Sequence, residues 1–436
     1  MRKGDRMSEK NKTNNSIWRN SIFMRIFASY SVSIMGNYFD SVALMIMFGY
    51  LWQAEPIVIA FIPVAVALPQ AILSQFTGVL ADKMNKVKLM LVSDLLTALL
   101  TLLLLWAANP WIALLLISLR STVNVVHFPA QQSLIKHVVP EQQLLKAVSL
   151  NGMVMQLSKI IAPLLGGILA GATSPQVCIL LNAIAFFISS VILMTLVKNK
   201  KISHTSADRN ETDDASALPA SFWQSWKEGW GFIFSSRILK VSFLLSFIGL
   251  SFIQMIDVQF TTWLRVYAPE RPELIGWIFA SSGFGALMMM MFLNRFEHFR
   301  SYGTLLGGSI LFIGAGFGGF GFLTENFAMW LPVLLGIFIG LGVGLYSIGF
   351  QYIIQKHTTE KSIGRVSGIS NSISSMTVVI APLIGGMLVQ KWGPGDIFLT
   401  IGIICTLIGI ASILLQKILW KESKAVNSRL EQEQGI

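Results

Sequence analysis

Twelve long and continuously apolar runs govern what this chain can fold into. They fall near 24–52, 57–81, 88–108, 110–134, 148–171, 176–197, 240–266, 273–294, 303–323, 328–354, 367–390 and 396–419. About 20 residues at a rise of 1.5 Å cross the hydrocarbon core of a bilayer as a helix. Continuous runs exclude a closed barrel, whose strands alternate apolar and polar residues over about ten positions. Of the 436 residues 53% are apolar and only 13% charged, more apolar surface than two or three soluble cores can hide. The fold class expected is an all-α membrane protein of twelve transmembrane helices, and an ordinary soluble enzyme is excluded.

The net charge of +11 invites a nucleic-acid reading, but the placement of the charges decides against it. Sorted by connection, 28 lysines and arginines fall on the side of the two termini and 3 on the other, with Arg120 and Lys159 inside spans. Such a split places both termini and the large central connection in the cytoplasm. The basic balance is topological, and no nucleic-acid partner is needed. The segment 1–23 lacks a secretory leader's short apolar stretch and small-residue cleavage site, and reads as a retained cytoplasmic tail. Cys178 and Cys405 both lie in apolar runs, so no disulfide framework is implied.

The expected organisation is a six-helix half over 24–197, a cytoplasmic linker over 198–239, a second six-helix half over 240–419 and a tail over 420–436. Between Lys198 and Pro219 no apolar run offers an anchor. Phe222, Trp223, Trp226, Trp230, Phe232 and Ile233 then alternate with Lys227, Glu228 and Arg237. That pattern fits an amphipathic helix, either lying on the inner membrane surface or packed on the cytoplasmic face of the bundle.

An internal repeat supports the two halves. Ala162-Pro163-Leu164-Leu165-Gly166-Gly167 in the fifth span recurs as Ala381-Pro382-Leu383-Ile384-Gly385-Gly386 in the eleventh. A six-span separation with matching orientation means parallel repeats related by an axis along the membrane normal. The prolines interrupt the helical hydrogen-bond ladder and the paired glycines admit a neighbouring helix closely, as packing surface, hinge or both.

The residues Gly78-Val79-Leu80-Ala81-Asp82-Lys83-Met84-Asn85-Lys86 after the second span resemble the cytoplasmic signature of the major facilitator superfamily. Lys83 and Lys86 stand where that signature carries arginine, and Asn85 stands where it carries glycine. His127-Phe128-Pro129-Ala130-Gln131-Gln132, Val139-Pro140-Glu141 and Leu91-Val92-Ser93-Asp94-Leu95-Leu96 are similar to the macrolide-efflux-like branch of its drug exporters. The Ala-Pro-x-x-Gly-Gly copies resemble the element associated with antiporters there, with Ala162 in place of the usual glycine. The resemblance implies a cytoplasmic gating role for Gly78, Asp82, Lys83, Asn85 and Lys86. It implies a hinge or antiporter role for Ala162, Pro163, Gly166, Gly167, Ala381, Pro382, Gly385 and Gly386.

Charged groups at membrane depth cost about 2.5–3.5 kcal/mol or more each and need a reason to be there. Tyr30, Ser33, Asn37 and Asp40 share one helical stripe, as do Arg120, Asn124, His127 and Gln131, Gln254, Asp257 and Thr261, and Ser347, Gln351 and Gln355. These stripes occupy spans one, four, seven and ten, which line the central cavity in the fold that the chain resembles. Asp40 is the leading candidate for a proton-coupling carboxylate, Asp257 the second, and Arg120 the partner, unless Asp40 and Arg120 form a fixed structural pair. Tyr30, Asn37, Asn124, His127, Gln254, Thr261, Ser347, Gln351 and Lys159 are candidates to face substrate. Lys159 equally fits a stem-buried side chain reaching a polar pocket. Asp94 reads as a brace for the Gly78–Lys88 turn, and His127 as a core histidine if it does not face substrate.

No glycine-rich phosphate loop, nucleophile elbow or zinc-type His-Glu-x-x-His is present, so no cofactor and no metal site are expected. The function expected is proton-coupled export of amphipathic, drug- or macrolide-like small molecules by alternating access. The chain would act as a monomer in a bacterial-type plasma membrane, its partners the substrate, protons and lipid. A dedicated exporter of an endogenous compound such as a siderophore or lipid, or a membrane sensor without transport, stays open.

Overall fold

The computed structural model describes residues 17–197, 222–296, 299, 301–325 and 327–421, apart from side chains at 75, 76, 78–83, 222–225, 360 and 361. Twelve described helices are long and apolar enough to cross a membrane: Ser21–Leu51, Pro56–Ser74, Lys86–Trp106, Pro110–Val138, Glu141–Ala172, Pro175–Val197, Arg237–Tyr267, Leu274–Leu293, Gly303–Phe322, Trp330–His357, Ser362–Trp392 and Pro394–Leu414. The linker read over 198–219 lies outside the described residues, as do the side chains of Phe222 and Trp223.

Local chemistry sets the ends of these helices. Asn85 caps the third span by accepting from the Lys88 amide at 3.1 Å, and Asn109 caps the fourth with Pro110 behind it. Thr359 and Ser362 form a capping box at the head of the eleventh. Gly393, at φ 84°, turns the chain into the twelfth with Pro394 in its first turn.

Two spans are not single rods. The fourth consists of Pro110–Asn124 and His127–Val138, parted at Val125 and Val126. Pro129 explains the break: it has no amide proton, and its ring crowds the carbonyl four residues earlier, that of Val125. The seventh is interrupted by a tight turn at Asp257–Gln259. There the eleventh span comes so close that a Cβ on Gly385 would meet the Met255 backbone. By contrast, Pro163 and Pro382 lie inside helices that continue through them.

The chain divides into two compact units. Unit 1 takes the first span up to Leu44 and the chain from Leu68 through the sixth span; unit 2 takes Met45–Ala67 and the helices from Phe222 onward.

In unit 2, glycines set the closest approaches. Gly336, Gly340 and Gly344 of the tenth span meet Ser281, Ser282 and Ala286 of the eighth, and Gly314 of the ninth meets Gly402 of the twelfth. The second part of the seventh span is held by aromatic rings, Phe260 against Phe320 at 4.9 Å and Phe398 at 5.1 Å, and Trp263 against Phe320 at 5.1 Å. The helix Phe222–Ser235 packs on the eleventh span, with Gly229 against Ile369 and a Glu228–Arg365 ion pair at 2.6 Å.

The turn between the first and second spans is strapped within unit 2. Arg265 donates to the carbonyls of Gly49 at 3.2 Å and Ala54 at 2.9 Å. Gln259 donates to the Pro56 carbonyl at 3.0 Å, and Gln390 to Glu55 at 2.9 Å. Gln53 in that turn holds a left-handed φ of 49°, a conformation that side chains with a Cβ resist. Replacing Arg265 with Ala removes two charge-assisted bonds, and a local cost of about 2 kcal/mol is expected. Hydrogen exchange at the amides of residues 49–54 should then quicken about 30-fold.

Candidate functional site

Four helices of unit 1 stack three layers of side chains. The first layer is apolar: Phe23 and Ile26 of the first span, Val87 and Met90 of the third, Leu134 of the fourth and Leu196 of the sixth. Further along the same helices come two buried polar layers.

The nearer polar layer holds Asp94, His127, Ser189 and Ser29. His127 Nε2 lies 3.3 Å from Asp94 Oδ1, and the Ser189 hydroxyl donates to Asp94 Oδ2 at 2.5 Å. The hydroxyls of Ser189 and Ser29 are 2.7 Å apart. All four residues are buried.

The farther layer holds Asp40, Arg120 and Asn182. Arg120 Nη1 and Asp40 Oδ2 form an ion pair, and the Asn182 amide donates to the same oxygen at 2.9 Å. Asp40 and Asn182 are fully buried and Arg120 is 9% exposed. Asp40 Oδ1 has no hydrogen-bond partner among the described residues. Gly36 makes room for this layer, since a Cβ there would sit 2.6 Å from Asn182 Oδ1.

Burial makes these groups consequential. A lone carboxylate in such surroundings is expensive, and the guanidinium offsets that cost only while the pair is intact. Two donors converge on one oxygen of Asp40, leaving the other to receive a proton without displacing either donor. Arg120 and His127 are seven residues apart on one stripe, about 10 Å, with the helix break between them.

Each copy of the repeated motif packs on a helix of its own unit. Gly166 of the fifth span lies against Phe39, next to Asp40, where an added Cβ would be 3.0 Å from the Phe39 carbonyl oxygen. Gly385 lies against Met255, two residues before Asp257, and Gly386 against Pro56 and Ala60. Ala162, Pro163, Gly167, Ala381 and Pro382 are buried as well.

The remaining candidates are dispersed. Tyr30 is buried, and Asn37 and Asn124 are half-buried. Asp257 is half-buried in the seventh-span turn, and its carboxylate makes no ion pair or hydrogen bond among the described residues; Gln254 is half-buried one turn earlier. Thr261 is buried against Gly49. Ser347, Gln351 and Lys159 are exposed, and no described carboxylate pairs with Lys159. Asp94 is bonded inward to Ser189 and paired with His127, and His127 is buried beside it. Asn85 is the helix cap described above and Lys86 is half-buried, while the side chains of Gly78, Asp82 and Lys83 lie outside the described residues.

Asn182, Ser189 and Ser29 complete both layers and are not singled out by the sequence reading. Their signal is weak but present: Asn182 and Ser189, seven residues apart in a mostly apolar span, share one face.

Comparison with known proteins agrees with this architecture. An uncharacterised MFS-type transporter of Bacillus subtilis (strain 168), YfiS, is 27% identical over 397 residues, covering 91% of this chain and 93% of that protein. Macrolide efflux protein A of Streptococcus pyogenes is 22% identical over 403 residues, covering 91% and 96%. The crystal structure of the nucleoside transporter NupG shares the fold, with a TM-score of 0.70 at 12% identity, covering 93% of this chain and all of that one. The family model described as Major Facilitator Superfamily matches residues 26–271 and 271–434, so this multi-pass membrane protein belongs to that superfamily of transporters.

Proposed function

We propose that the chain is a proton-coupled exporter of amphipathic small molecules, working by alternating access with Asp40 as its coupling carboxylate. The observation that carries the proposal is the buried Asp40–Arg120–Asn182 layer. A proton arriving on Asp40 Oδ1 removes the charge that holds Arg120, while Asn182 can keep its bond to Oδ2. The freed guanidinium must then find another acceptor, on the substrate or within the helices, and that requirement links proton binding to a change of state. Asp257, unpaired in the interrupted seventh span, is the second candidate to carry a proton.

The substrate class rests on likeness to macrolide efflux protein A, together with the drug-exporter motifs of the sequence. The lysine and arginine asymmetry favours both termini in the cytoplasm, and likeness to transporters of Bacillus subtilis and Streptococcus pyogenes favours a bacterial plasma membrane. Residence in that membrane as a monomer completes the proposal, with substrate, protons and lipid as partners and no nucleic acid.

The test is efflux of ethidium and of a macrolide from loaded cells, with and without an uncoupler, comparing wild type with Asp40→Asn. Uncoupler-sensitive efflux that falls at least about 100-fold in the variant is the expected result, because asparagine keeps the Asn182 bond but carries no exchangeable proton. Undiminished, uncoupler-sensitive efflux by a normally inserted Asp40→Asn protein overturns the assignment. If neither compound moves even in wild type, the drug-export reading falls and an endogenous substrate takes its place.

A further inference from the structure

We infer that Asp94 and His127 form a second proton-binding site in unit 1, separate from Asp40 and Arg120, whose occupancy sets the pH range over which the transporter turns over. The inference deepens the proton-coupled reading and rests on it.

The argument begins with the chemistry of the two pairs. Both set a buried carboxylate against a cationic side chain, but arginine does not release its proton in proteins and histidine does. Within Asp40–Arg120 the only group able to change charge is the carboxylate. The Asp94–His127 pair can hold its exchangeable proton on either member. With the proton on the imidazole the pair is an ion pair at 3.3 Å; with it on the carboxyl, both members are neutral. Losing that proton leaves one uncompensated negative charge in the bundle, so the titration belongs to the pair as a unit.

The surroundings suit such a role. Ser189 donates to Asp94 Oδ2 at 2.5 Å, and its oxygen is 2.7 Å from that of Ser29. Hydroxyls rotate to donate or accept, so this short chain can satisfy the carboxyl group in either protonation state. Neither Asp94 Oδ1 nor His127 Nε2 has a hydrogen bond of good geometry, though they face each other. The contact is therefore close enough for attraction without being locked as a bond.

Several other charged and titratable groups lie on the helices around the pair; on the first span Tyr30 is buried and Tyr38 half-buried. On the first span, Arg25 donates to Thr195 and Asp40 pairs with Arg120. At the head of the third span Lys86 is half-buried and Lys88 exposed. At the end of the fourth Lys136 is exposed and His137 bonds the Ser133 carbonyl. On the fifth Glu141, Lys146 and Lys159 are exposed, and on the sixth the Cys178 thiol donates to the Gly166 carbonyl. Among the described residues, the groups in direct polar contact with Asp94 are His127 and the Ser189 hydroxyl. The reaction is a bare proton exchange with water, in which an N–H or O–H bond breaks or forms and nothing is oxidised or reduced.

The test uses the purified full-length protein in nanodiscs and the same protein in cells. Imidazole nitrogens of the five histidines are followed by NMR from pH 5 to 9. One signal, assigned by its loss in His127→Gln, is expected to titrate and to shift its midpoint by about one pH unit or more in Asp94→Asn. If His127→Gln does not fold, Ser189→Ala, which removes the donor to Asp94, identifies the signal by displacing the same titration. In cells, His127→Gln is expected to flatten the pH profile of uncoupler-sensitive efflux. A wild-type protein in which no buried histidine titrates overturns the inference, as does a His127→Gln variant with an unchanged pH profile. Uncoupler-insensitive efflux by wild type is a different result: it removes the proton-coupled reading, whatever the histidine does.

Discussion

Arg120→Met is expected to destabilise the protein by about 3–5 kcal/mol, the range seen when one partner of a buried ion pair is removed. The reason is what stays behind. Asp40 is fully buried, and without Arg120 its charge keeps only the Asn182 amide as a close partner. Methionine fills much of the arginine volume, so lost packing contributes little and the effect reports the orphaned carboxylate. Adding Asp40→Asn to Arg120→Met should recover most of that loss, because the double variant has no uncompensated charge in this layer. Neither variant should transport. Thermal unfolding of the detergent-solubilised protein checks both statements. A double variant no more stable than Arg120→Met alone would show that Arg120 acts through packing instead of charge.

Gly340→Leu is expected to be comparably damaging for an unrelated reason. A Cβ at Gly340 would strike the Ser282 carbonyl and lie 2.9 Å from the Ala286 amide nitrogen. Both are backbone atoms of the eighth span and cannot rotate aside. Forcing a side chain into such a seam costs about 3 kcal/mol, the upper end of the usual range for overpacking. Gly336 and Gly344, one turn to either side, make similarly close approaches, so shifting the helices relieves one clash by creating another. The monodisperse peak of the extracted protein in size-exclusion chromatography should be lost. Gly152→Leu is the control: nothing lies within 4 Å of that position, and the peak should persist.

Much of the fold is legible in the sequence because a membrane span is a local property. Twenty apolar residues in a row report a crossing whatever their neighbours are, and the twelve observed helices overlay the twelve runs. What is not local is harder to read. The stripe containing Arg120 and His127 is visible from spacing, but spacing does not say that one residue meets the first span and the other the third. Asn182 shares a face with Ser189, but that spacing does not say that the face meets Asp40. The break in the fourth span follows from Pro129 once the carbonyl of Val125 is considered. The turn at Asp257–Gln259 has no proline or glycine to announce it. It becomes intelligible only beside Gly385, a residue 126 positions after Gln259. The strap from Arg265 is invisible for a similar reason, since its acceptors are backbone carbonyls, which every residue offers.

The break at Val125 and Val126 has a mechanical meaning. A continuous helix transmits bending along its length, because each turn is bonded to the next. Where a ladder bond is missing that coupling is weaker, and here the weak point lies between Arg120 and His127. Val125 and Val126 keep helical dihedrals, so a single proline loosens the link between the two polar layers without cutting it.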